Sequence, residues 1–168
     1  MRLSFALRLP PEVTAVVAAM TRPPLENVQW TDPRRWIVKL RPLGHVPSAL
    51  HQLLVDAVEA DLDGAVPLRV SFGPIVRRYG GQQLSAPVEG LEELAAAVFD
   101  ATVPLVPVTH PQPVHTDLVL AGGRVPAQLA GTELRAEWVV DELLLIADRS
   151  SPRAVRLEDV ATISLRGR

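Results

Sequence analysis

Apolar positions recur along this 168-residue chain with two periods, and the switches between them sketch an order of elements. Residues 4–9 alternate as a short strand does and stop at Pro10-Pro11, where proline at the first helical position opens a helix over residues 12–20. After the turn Thr31-Asp32-Pro33, the run Trp36-Ile37-Val38-Lys39-Leu40-Arg41 alternates again, and Pro42-Leu43-Gly44 is expected to end it. From Pro47 or Ser48 the period lengthens: Leu50, Leu53, Leu54, Ala57, Val58 and Leu62 fall on one helical face, the acidic residues between them are left to water, and Gly64 stops the helix. Strands over residues 66–72 and 75–79, a tight turn at Gly80-Gly81 and a strand over residues 82–86 make a small antiparallel meander. A second amphipathic helix carries Leu91, Leu94, Ala95, Val98 and Phe99 on its apolar face and ends before Thr102.

Prolines 104, 107, 111 and 113 then forbid a helix, so residues 103–114 read as a linker or a sheet edge. A strand over 116–121 closed by Gly122-Gly123, a short helix over 126–129, and two closing strands over 134–146 and 155–165 complete the pattern. Each half of the chain thus gives a strand, a helix of similar length and further strands. This loose duplication predicts an α+β fold: two antiparallel sheets with flanking helices, arranged as two intertwined lobes about a pseudo-two-fold axis, in one domain over residues 1–168.

Composition narrows the range of functions. A chain of this length buries a core without staples, and it has no cysteine for disulfides, thiolate metal sites or nucleophiles, which fits a reducing, cytoplasmic setting. Arg8 and the double proline break any signal-peptide apolar region, and no run of about 18 uncharged apolar residues exists to span a membrane. A formal net charge of -2 and a pI near 6.1 offer no bulk attraction to nucleic acid, so any such contact has to be local. Arginine supplies nearly all the positive charge, and Lys39 is the only lysine. No convergent ligand set suggests a metal, the acidic residues 56, 59, 61 and 63 reading as a solvated helix face, and no cofactor motif occurs: Gly80-Gly81 and Gly122-Gly123 have turn spacing, not that of phosphate loops.

The opening Arg2-Leu3-Ser4-Phe5-Ala6-Leu7 with Pro10-Pro11-Glu12-Val13, the stretch Leu40-Arg41-Pro42-Leu43-Gly44, and the closing segments 137–146 and 160–165 together resemble the two-histidine phosphoesterase superfamily. The similar branch is that of the bacterial RNA 2′,3′-cyclic phosphodiesterases, also called 2′-5′ RNA ligases. The resemblance implies two His-x-Thr or His-x-Ser motifs, one per lobe, facing each other across a cleft. One imidazole there takes a proton from the attacking oxygen, the other protonates the leaving oxygen, and the hydroxyls hold the phosphate.

Aligned on Pro42-Leu43-Gly44, the first motif falls on Ile37-Val38-Lys39, and aligned on the alternation leading to Ala121, the second falls on Asp117-Leu118-Val119. Neither contains a histidine or a hydroxyl, so no catalytic set is intact. A slip of two residues would instead place His115-Thr116-Asp117 in the second motif and recover one imidazole. Strand alternation sends Ile37, Lys39 and Arg41 from one strand, and His115, Asp117 and Val119 from the other, into the cleft, and predicts that Lys39 and Asp117 pair as ions across the axis. Arg77, Arg78 and Arg124 are either an anion site or solvated surface. His45, His51 and His110 read as surface or turn residues.

Three functions remain. A degenerate phosphodiesterase could bind a nucleotide, an RNA end or a protein through the old cleft, with Lys39, Arg41, Arg77, Arg78, His115 and Asp117 as candidate ligand contacts. An active phosphodiesterase could have a site rebuilt on Lys39, His115 and Asp117. A structural or oligomerisation protein would have a filled cleft.

Overall fold

The double proline sets the first connection. In a computed structural model that describes residues 1–108 and 116–167, β1 (Arg2–Arg8) passes through an extended Pro10 into α1 (Pro11–Ala18), whose missing first N–H belongs to a position that has no helical partner anyway. There follow β2 (Val28–Trp30), β3 (Ile37–His45), α2 (His51–Asp61), β4 (Leu68–Phe72), β5 (Arg77–Tyr79), β6 (Gln83–Glu89), α3 (Glu92–Thr102), β7 (Asp117–Gly123), β8 (Glu137–Val140), β9 (Glu142–Asp148) and β10 (Leu157–Ser164). Between β5 and β6, Gly80 and Gly81 have φ of 58 and 73, the left-handed pair at the centre of a turn that the Gln82 N–H closes onto the Tyr79 carbonyl at 3.1 Å. His110 and His115 lie outside the described residues.

The strands join in the order β10-β9-β1-β3-β7-β6-β4-β8, with β2 added on β7 and β5 on β6, all antiparallel. The two expected antiparallel halves are visible as four strands each, β10-β9-β1-β3 and β7-β6-β4-β8, meeting edge to edge at β3 and β7 in one curled sheet. The duplicated unit is strand, helix, antiparallel strand: β1-α1-β3 in one half and β6-α3-β7 in the other.

Alternation along the strands separates two faces. Leu3, Phe5 and Leu7 of β1, Val38 and Leu40 of β3, and Leu118 and Leu120 of β7 join the buried residues of all three helices in the main core. A smaller apolar cluster of Ala6, Ile37, Leu144 and Ile146, with Leu157 packed on it, covers part of the opposite face. In α2 the buried stripe is Leu54, Val55 and Val58, while Leu53 is half exposed, so the apolar face is turned from the one its leucines predict.

Two strand ends differ from expectation. Residues Pro42 to Gly44 do not stop β3, which runs on to His45. Its register with β1 slips between Leu3 and Ser4 and between Phe5 and Ala6, and β7 pairs with it only at Val38, so Pro42 lies on an unpaired edge beside a bulge, where no N–H is wanted. The single strand expected over 134–146 is broken at Asp141 into β8 and β9, which belong to different halves: β8 pairs with β4 and β9 with β1 and β10. Only a sheet curled until its two ends approach can be joined there by one residue.

Candidate functional site

The cleft is built on the contact between the halves. β3 and β7 share one paired position, Val38 with Leu118, both fully buried. In an antiparallel pair the residue before one centre faces the residue after the other, so Ile37 stands opposite Val119 and Lys39 opposite Asp117. All four side chains leave the core face and line one cleft of about 770 Å³. The pairing centre is Leu118, two residues beyond the Thr116 of the slipped alignment. Thr116 instead exchanges hydrogen bonds with Val88: its carbonyl accepts from the Val88 N–H at 3.0 Å and its hydroxyl donates to the Val88 carbonyl at 3.1 Å.

Around this floor most charges are already engaged. Arg35 Nη1 contacts Asp148 Oδ2 at 2.9 Å. Burial pushes the Asp148 carboxyl up, but hydrogen bonds from Ser150 and Arg35, with the Arg35 charge, outweigh it and hold the group below its ordinary value of 3.8. Tyr79 hydrogen-bonds Asp117, and burial first, then the Asp117 charge and hydrogen bond, raise the phenol above its ordinary value of 10.0 despite nearby Arg77. The second carboxylate oxygen, Asp117 Oδ2, is buried and has no hydrogen-bond partner among the described residues.

Arg41 borders the cleft, yet it is not the free cleft cation that strand alternation predicts. The bulge at Leu40 places it opposite Phe5, a core residue, and its side chain turns toward the C-terminal end of α3. There Nε donates to Thr102 Oγ1 at 3.1 Å, Nη1 to the Pro42 carbonyl at 2.8 Å and Nη2 to the Val106 carbonyl at 2.5 Å, with the guanidinium 5.3 Å from the Phe99 ring centre. Burial pulls its pKa below the usual arginine value, and the helix C-terminus compensates for the missing carboxylate.

Lys39 is exposed and, among the described residues, forms neither an ion pair nor a hydrogen bond. It does not pair with Asp117, which has turned to Tyr79 instead. Arg77 and Arg78 do not line the cleft: Arg77, on β5, lies opposite Ser85, three strands out from Ile37, and Arg78 lies beside Gly81. Arg124 is likewise outside the lining, and so are His45 at the end of β3 and His51 at the start of α2. Among the described residues no group of three or more His, Cys, Asp and Glu side chains could hold a metal ion.

Several cleft residues escape sequence reasoning. Arg2 and Ser4 share the Ala6 face of β1, so alternation within Arg2-Leu3-Ser4-Phe5-Ala6 could have found them. Thr31, Arg35, Gln83 and Asp148 come from four separate segments and carry no local signal. With Arg2, Arg35, Lys39 and Arg41 set against Asp117 and Asp148, the lining has two more positive than negative charges, inside a chain whose formal net charge is -2.

A curled antiparallel sheet of two like halves, backed by helices on one face and open as a cleft on the other, is also the fold of E. coli LigT and of a phosphoesterase of known structure. The Thermus thermophilus protein TT0787 superposes with a TM-score of 0.85 over 99% of each chain, at 21% identity. E. coli LigT in complex with 3′-AMP gives 0.81 over 98% of each chain at 18% identity, and a further phosphoesterase gives 0.79 over 98% of each at 18%. What these proteins share with the chain is the fold. No family model and no curated protein matches it. Among the described residues no helix is long and apolar enough to cross a membrane.

Proposed function

We propose that the chain is a degenerate relative of the cyclic phosphodiesterases that no longer hydrolyses its ligand and binds a nucleotide or an RNA end in the cleft. The observation that carries this is the floor. Ile37, Lys39, Asp117 and Val119 occupy the two cross-strand pairs where acid–base cleavage of a phosphodiester needs an imidazole from each half, and none of them is an imidazole or a hydroxyl. Ile37 and Val119 cannot move a proton, and a carboxylate at 117 repels a phosphate that an imidazolium would attract.

Binding is supported by the local charge. The cleft is open and cationic in a chain that is anionic overall, and Lys39 has no competing partner among the described residues. E. coli LigT, which has this fold, is known in complexes with 3′-AMP, phosphate and ATP. A purely structural role would call for a filled cleft, whereas this one is not closed by a Lys39–Asp117 pair.

The test combines calorimetric titration of the purified protein with 3′-AMP and a hydrolysis assay on adenosine 2′,3′-cyclic phosphate. Saturable binding that weakens in Lys39→Ala, with no product formed, is the expected pair of results. Turnover lost in Lys39→Ala or His115→Ala would establish the rival reading, a phosphodiesterase rebuilt on Lys39, His115 and Asp117. Absence of nucleotide binding would leave a protein partner as the cleft's ligand.

A further inference from the structure

When every cleft charge is followed to its partner, two cations remain for a ligand, and they stand at different places. Arg35 is taken by Asp148, Arg41 by Thr102, Pro42 and Val106, and Asp117 by Tyr79. Lys39 and Arg2 have no ion pair or hydrogen bond among the described residues, and both are exposed on the cleft wall. Lys39 lies opposite Ala6, and Arg2 is four residues farther along β1 on the same face. At about 3.3 Å per residue the two backbone positions are offset by about 13 Å along the strand direction. Ser4, opposite Pro42, stands midway and also lines the cleft.

The Arg2 end differs from the Lys39 end. Arg2 is the cross-strand partner of Asp148, whose carboxylate is already paired with Arg35, so this end of the cleft carries two guanidinium groups and one carboxylate, with one positive charge in excess. These three residues also line a second hollow of about 340 Å³ that adjoins the cleft. The excess charge therefore faces a continuous surface rather than a closed pocket.

We infer that the cleft has two anion stations, Lys39 at the floor and Arg2 at the β9 end, and so takes a nucleotide ligand bearing two phosphates separated by a nucleoside rather than a single or a clustered phosphate. The inference rests on the nucleotide-binding reading and adds the number and spacing of the anionic groups. Phosphates joined directly in a nucleoside di- or triphosphate are too close together to engage both stations. A nucleoside with one phosphate on its 3′ oxygen and another on its 5′ oxygen can.

Three probes measured at several salt concentrations decide it: 3′-AMP, ATP, and adenosine 3′,5′-bisphosphate, which adds one phosphate to 3′-AMP at the other end of the nucleoside. The two-ended probe is expected to bind about tenfold more tightly than 3′-AMP, the gain of one further charge-assisted contact at an exposed site. Its affinity is expected to fall more steeply with salt, by about 0.7 in logarithmic slope for the added phosphate. Arg2→Ala, and separately Arg2→Gln, which keeps most of the side-chain length, are expected to erase that advantage and the extra slope. Arg2 has no partner to lose among the described residues, so both variants should fold, and an unchanged melting temperature checks this. Equal affinities for 3′-AMP and the two-ended probe, or an advantage that survives both substitutions, would overturn the second station while leaving nucleotide binding intact. If none of the three probes binds, the nucleotide reading itself has failed.

Discussion

The floor can be rebuilt. Substituting Ile37→His, Lys39→Thr, Asp117→His and Val119→Thr places a His-x-Thr sequence on each strand around the Val38–Leu118 centre. Directly opposite side chains in such a pair have Cβ atoms about 4.5–5.5 Å apart and diagonal ones about 7–8 Å, so histidines at 37 and 117 would flank one phosphate from opposite sides. Each working imidazole contributes about 10²–10⁴-fold to proton transfer. The quadruple variant is therefore expected to hydrolyse adenosine 2′,3′-cyclic phosphate at least about 10²-fold faster than the parent. The changes also cost stability. Ile37 is 7% exposed in the small cleft-face cluster, and exchanging it for a polar ring forfeits about 1.5–3 kcal/mol of burial, while Tyr79 loses its acceptor at a cost of about 1–3 kcal/mol. Product formation followed by chromatography, beside a thermal melt showing a folded variant, is the assay. A folded quadruple variant no faster than the parent would refute the placement of these four residues, and a parent that is itself fast would refute the loss of catalysis.

Other expectations concern stability. Arg41→Met removes three donors from the α3 end and should destabilise the protein by about 2–3 kcal/mol in a urea titration; Arg41→Lys should not restore it, because one ammonium cannot serve acceptors spread around a planar fork. Asp148 has a folded pKa below its unfolded value, so its contribution is present above about pH 4 and lost as pH falls through the folded value. Asp148→Asn should accordingly cost about 1 kcal/mol at pH 7, the pair with Arg35 being partly solvated, and the difference from the parent should vanish in strong acid. At Gly123, φ is 92 and a Cβ would collide with the Asn27 carbonyl, so Gly123→Ala should lower the melting temperature by several degrees. An unchanged melt would mean that β2 is not held against β7 in this way.

Much of the fold was legible because its signals are local. Pro10-Pro11 fixes the first strand–helix junction, Gly80-Gly81 the hairpin, and the leucine spacing of residues 91–99 the helix α3. The break at Asp141 was not legible, because the run from Trp138 to Ile146 is apolar on both sides of Asp141-Glu142 and only the positions of β4 and β1, far away in sequence, send its two parts to different halves. The cleft floor followed from alternation, since Ile37, Lys39, Asp117 and Val119 obey it. Arg41 does not, because two slips in the β1–β3 register lie in β3 and one of them precedes it. The expected Lys39–Asp117 pair had the right neighbours but the wrong partner, as Tyr79 reaches Asp117 from a strand that no pattern in either motif involves.

The one-residue joint at Asp141 governs when the chain can finish folding. The half that begins with β1 ends with β9 and β10, so a nascent β1 can take β3 on one side, but its other edge stays bare until residue 142 and those after it have been made. Such non-local closure is slow, and a bare apolar edge during synthesis invites pairing with other chains. Yield from rapid expression should therefore depend more on chaperone supply than the stability of the finished protein would suggest.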